Sequence, residues 1–72
     1  MNEIIIKTEF IKLQQLLKLV GIVGQGSDAK LYIKNGEIKV NGITATQRGK
    51  KIYHGDIITI RNIGELKILQ KQ

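Results

Sequence analysis

The sequence predicts an α+β domain in which two helices pack on a small sheet of four to five short strands. Three observations carry that expectation. Apolar residues recur at helical spacing from Phe10 to Val20; Ile38-Lys39-Val40 alternates and runs into Asn41-Gly42; and the other apolar runs are short, Ile-rich and bounded by polar residues. At 72 residues the chain has room for one domain, taken as residues 1–72.

The first strand is "EIIIK", Glu3 to Lys7, short and β-branched. Thr8 reads as the N-cap of a first helix, with Glu9 placed against its positive end. Phe10, Leu13, Leu17 and Val20 form the apolar stripe of that helix, widened by Leu16, and Lys12, Gln14, Gln15 and Lys18 take the other face. The glycines of "GIVGQG" end it. Ser27 is the N-cap expected for a second helix through "DAKLYIKN", with Gly36 at its C′ position; Ala29, Tyr32 and Ile33 line its apolar side. "EIKVNGIT" then makes a hairpin, because Asn-Gly suits the two positive φ angles of a type I′ turn. "TQRGKKIYHGD" is polar and turn-rich. "IITI", Ile57 to Ile60, and "LKIL", Leu66 to Leu69, are the last strands, separated by a turn at Asn62 and Gly64.

Composition excludes several classes. With no Cys and a single His, neither disulfides nor a conventional zinc site can staple the chain, so packing of its Ile, Leu and Val must. No apolar run approaches the length of a membrane span, and "MNEIIIKTE" lacks the basic start and long apolar segment of a signal peptide, so a cytoplasmic location is expected.

Motifs for small-molecule chemistry fail on context. "GQGSDAK" has the spacing of a dinucleotide-binding turn, but it follows a helix rather than a strand, and a hairpin returns instead of a parallel strand. "GITATQRGKK" is no P-loop, since six residues separate Gly42 from Gly49 and no Ser or Thr follows Lys50. Ser27 and His54 are the only residues of their types, and no third group marks either as part of a catalytic set. No enzyme, no cofactor and no metal site is expected.

Charge is the remaining signal. Twelve Lys and Arg against six Asp and Glu give +6, which favours polyanionic partners. It is concentrated: from residue 30 to residue 51, Lys30, Lys34, Lys39, Arg48, Lys50 and Lys51 face Glu37 alone, a local balance of +5. Lys30 and Lys34 are one helical turn apart. Because the short helix and the hairpin are consecutive, these two lysines are expected to share a surface with Lys39 and the "RGKK" loop.

The stretch "GSDAKLYIKNGEIKVNG", followed by "RGKK" and "HGDIITI", resembles the S4 RNA-binding domain. In that family's pattern a Ser opens the second helix, an Ala and a basic residue follow, a Gly ends it, and V-x-V-N-G makes the turn. Ser27, Ala29, Lys30, Gly36 and residues 38–42 stand at those positions. Lys12-Leu13 stands where many S4 domains begin the first helix with Arg-Leu. The resemblance covers roughly residues 10 to 60, and with the flanking "EIIIK" the chain is similar to the small stand-alone bacterial S4 proteins of the YaaA-like type. It departs from the pattern at Gln14, where Asp is frequent, and at Gly26, where a basic residue is common.

The resemblance implies an S4-like (αL) fold and a non-catalytic role in binding structured RNA, rRNA or tRNA-like, through the two helices and the adjacent loop. The implied contacts are Lys12, Lys30, Lys34, Lys39, Arg48, Lys50 and Lys51, together with Ser27 and Asn41, which also serve as helix cap and turn residue. Three aromatics, with Phe10 and Tyr32 at core-facing positions, offer no row of stacking rings, so readout of shape and backbone is expected. Two other roles fit the same residues: a protein-interaction adaptor docking a partner on the edge strand "EIIIK", and a DNA-binding accessory protein.

Overall fold

The computed structural model describes residues 2–22, 24 and 26–71, without the side chains of residues 26–28. Among these residues, seven strands and two helices follow in the order β1 (Asn2–Ile6), β2 (Phe10–Lys12), α1 (Leu13–Leu19), α2 (Gly26–Lys34), β3 (Ile38–Val40), β4 (Ile43–Thr44), β5 (Lys51–Tyr53), β6 (Ile57–Ile60) and β7 (Gly64–Gln70). The strands expected from sequence, four to five of them, lie in the main sheet, whose order is β1-β7-β6-β3-β4. β1 runs parallel to β7, and every other pair is antiparallel. The two additional strands, β2 and β5, pair with each other as a separate antiparallel ribbon.

Alternation decides which face of the sheet is buried. Ile38 and Val40 on β3, Ile58 and Ile60 on β6, and Leu66 and Ile68 on β7 all point inward, and their register partners place them in adjoining rows. They join Leu13, Leu16 and Leu17 of α1 and Ala29 and Ile33 of α2 in one core that holds no charged or polar residue among those described.

Both helices stop for the same physical reason. At the end of α1, Gly21 N–H donates to the Lys18 carbonyl and Ile22 N–H to that of Leu17; at the end of α2, Gly36 donates to Ile33 and Glu37 to Tyr32. Each is the paired closure that needs a left-handed residue at C′, and Gly21 and Gly36 supply it with φ of +78° and +70°. The β3–β4 turn has φ of +53° at Asn41 and +84° at Gly42, as a type I′ hairpin requires.

The start of α1 differs from the sequence reading. Thr8 is no helix cap: its hydroxyl donates to the Phe10 carbonyl at 2.7 Å within a turn, and Phe10 belongs to β2 rather than to the helical stripe. The helix begins at Leu13, with Lys12 as its N-cap. Phe10 and Ile11 are good strand residues, and the pairing of Ile11 with the fully buried Ile52 competes successfully with one more helical turn. The second helix begins at Gly26, one residue before the expected cap Ser27, whose side chain lies outside the described part.

Candidate nucleic-acid interface

The β2–β5 ribbon carries a basic surface. Phe10 lies opposite Tyr53, Ile11 opposite Ile52, and Lys12 opposite Lys51. Because side chains alternate, Ile11 and Ile52 turn to the core, and Phe10, Tyr53, Lys12 and Lys51 share the outer face. Leu13 N–H crosses the ribbon to the Lys50 carbonyl at 2.9 Å, so the backbone of Lys12, one residue earlier, points away from β5. Lys12 and Lys51 are therefore a non-hydrogen-bonded pair, the kind whose Cα atoms approach to about 4.5 Å. Two ammonium groups directly across a ladder repel. Lys51 relieves part of this by setting its Nζ 4.8 Å from the centroid of the Phe10 ring, a cation–π contact. Phe10 in turn meets Tyr53 at 5.9 Å between ring centroids, with planes tilted by 46°.

The loop before β5 is tied to the first turn of α1. Gln14 N–H donates to the Arg48 carbonyl at 3.0 Å, beside the Leu13 to Lys50 bond. Two of the free N–H groups at the helix start are thereby satisfied by main chain, and Gln15 Oε1 accepts from the Lys12 N–H at 3.4 Å. The carbonyls of Arg48 and Lys50 are consumed inward, while their side chains are exposed. Lys12, Arg48, Lys50 and Lys51 thus surround one helix start, although 35 residues of sequence lie between the first and the second.

Asn41 borders this region. An open cleft of about 420 Å³ is lined by Asn41, Thr44, Gln47, Lys50, Lys51 and Tyr53, with Asp56 among its walls. The Asn41 amide is already engaged: Nδ2 donates to Asp56 Oδ1 at 3.0 Å, and Oδ1 accepts from the Ile57 N–H at 2.9 Å. Asp56 Oδ2 also accepts from the Tyr53 N–H at 2.8 Å. The pair clamps the hairpin turn to the β5–β6 turn, which fixes Tyr53 and hence the end of the ribbon. His54, next in sequence, accepts through Nδ1 from the Gln70 N–H at 2.9 Å and so ties the same turn to β7.

The other candidates lie elsewhere. Lys30 and Lys34 are exposed on α2, which packs against α1. Lys39 does not join them: Ile38 and Val40 on either side are buried, so Lys39 points out of the opposite face of the sheet, flanked by Thr44 and Thr59 and sharing a depression with Arg61. The expected single surface therefore loses Lys39. Tyr53 is 43% exposed, and Tyr32 is packed against the core, as expected. Phe10 was expected in the core and instead belongs to the basic face. A signal for it exists in the sequence: "FIK" and "KIY" are mirror-image triplets, aromatic-Ile-Lys and Lys-Ile-aromatic, that match when paired antiparallel.

Comparison with known proteins adds two findings. The family model described as S4 domain matches residues 4–69. A protein of Bacillus subtilis (strain 168) named probable ribosome maturation protein RlbA is 37% identical over 68 residues, covering 94% of this chain and 96% of that one.

Proposed function

Because the chain belongs to the S4 domain family, we propose that it is a non-catalytic, cytoplasmic RNA-binding protein that holds a structured RNA on the ribbon and the start of α1. The observation that carries the reading is the pairing of Lys12 with Lys51 on one exposed face, with the exposed Arg48 and Lys50 tied by main-chain bonds to the same helix start; the Lys12–Lys51 pair costs stability unless an anion lies between. Lys30 and Lys34 extend the contact along α2; Lys39 stays outside it. Ser27 joins at the start of α2. Asn41 acts by holding the turn rather than by touching a phosphate.

The relative named for ribosome maturation makes ribosomal RNA the favoured class of partner, ahead of a tRNA-like fold. Lysines reach phosphates as point charges, and Arg48 adds a planar group able to hold a phosphate with two hydrogen bonds. Tyr53 is the one exposed ring on which an unpaired base can stack. Among the described residues no helix is long and apolar enough to cross a membrane.

The test is crosslinking in cells followed by sequencing of the recovered nucleic acid, repeated with Arg48→Glu/Lys50→Glu and with Lys30→Glu/Lys34→Glu. Ribosomal RNA is expected with the wild type and little with the first pair. Recovery of DNA, of no nucleic acid, or of RNA insensitive to both reversals would overturn the proposal. In vitro, neutralisation of about five phosphates gives a slope of log affinity against log salt of roughly −3.5 to −4.5.

A further inference from the structure

One edge of the main sheet ends at β1. Among the described residues β1 is the terminal strand of the sheet, held by β7 alone. Lys71 N–H donates to the Ile6 carbonyl at 2.8 Å, so the backbone groups of Ile6 face β7. Backbone direction alternates along a strand, which turns the N–H and C=O groups of Glu3 and Ile5 to the open side. Side chains alternate with the same period: Ile6 is buried and Ile5 is 63% exposed, with Glu3 and Lys7 exposed on either side of it.

We propose that two copies of this chain associate through antiparallel pairing of their β1 edges about a two-fold axis beside Ile5, making one continuous ten-stranded sheet. At that register Ile5 lies opposite the partner's Ile5, and both exchange their outward N–H and C=O groups. Glu3 falls opposite the partner's Lys7, and Lys7 opposite the partner's Glu3. A two-fold contact must be self-complementary, and the row Glu3-Ile5-Lys7 is so in charge and apolar contact, with the backbone of Glu3 and Ile5 in phase and Lys7 one residue past the end of β1. No other single-residue shift places unlike charges opposite each other with the backbone in phase. Apolar surface continues on both sides of the strand, with Leu69 beside Ile5 on one face and Ile4 and Leu19 lining a depression on the other. The proposal does not depend on RNA binding.

Sedimentation equilibrium from micromolar to millimolar protein reads the association directly. The wild type is expected to move from its 8.1 kDa monomer mass to twice that value as concentration rises. Glu3→Lys and Lys7→Glu each place like charges across both symmetric pairs, so each alone should associate about tenfold more weakly. An equimolar mixture of the two variants restores both unlike pairs and should recover a dimer, which also shows that each variant is folded. A monomer throughout for the wild type, as when Lys7 simply keeps the edge from pairing, would overturn the proposal. So would dimers indifferent to both reversals, or a mixture no more associated than its components.

Discussion

Replacing Lys12 by Thr should make the protein more stable and worse at binding RNA, for reasons readable in the geometry. Lys12 is the N-cap of α1 and carries no acceptor for the helix. The N–H groups of Leu13 and Gln14 are taken by the Lys50 and Arg48 carbonyls, leaving that of Gln15 for a cap side chain. Thr at this position completes a Thr-x-x-Gln capping box, because Gln15 already reaches back to the N–H of residue 12. A cap of this kind is worth about 1 kcal/mol. Removing the repulsion from Lys51 adds a few tenths, since both groups are exposed and screened. A gain of about 1 to 1.5 kcal/mol raises Tm of a domain this size by about 5 to 10 °C. Thermal unfolding followed by circular dichroism measures it. Fluorescence anisotropy on ribosomal RNA fragments should show weaker binding and a salt slope shallower by about 0.7 to 0.9, the share of one phosphate. A lowered Tm would refute the account of the helix start. Unchanged affinity and slope would remove Lys12 from the interface.

Three further outcomes test the frame around this site. Asn41→Gly keeps the left-handed φ but removes the bonds to Asp56 and Ile57, so it should cost about 1 to 2 kcal/mol in urea unfolding; a neutral result would mean that the turn needs only its backbone. Gly36→Ala places a side chain at φ of +70° at the end of α2 and should lose about 1 kcal/mol, although the nearest atom to its new Cβ, on Thr44, is 3.9 Å away, so the cost is conformational rather than steric crowding. Ile52→Ala empties a fully buried position under the ribbon; a loss of about 2 to 5 kcal/mol of unfolding free energy in denaturant titration, accompanied by weakened RNA binding, is the expected pair of results.

The contrast between Lys12 and Lys39 shows what the sequence did and did not disclose about the candidate site. Both were singled out from charge and resemblance alone. For Lys39 the alternation Ile38-Lys39-Val40 already said that it points away from two buried neighbours, yet which neighbours share its face depends on strand order, and that placed it across the sheet from the helices. For Lys12 the sequence suggested a helix, because Phe10 extends a stripe through Leu13 and Leu17; only the arrival of β5 beside Phe10-Ile11-Lys12 makes those residues a strand and brings Lys51 opposite.

What the sequence determined by itself are the features whose cause lies within a few residues. The type I′ turn at Asn41-Gly42, the helix end at Gly36, and the strands of the main sheet follow from φ preferences, from alternation at Ile38-Lys39-Val40 and from short β-branched runs between polar residues, all of which act locally. The tertiary structure decided the ribbon, the parallel union of the first and last strands, and the true start of α1. Each of these rests on backbone groups finding partners far along the chain, Leu13 with Lys50 and Ile6 with Lys71, and no local preference records where a distant partner will be. The gathering of scattered basic residues around one helix start is a consequence of those same long-range bonds.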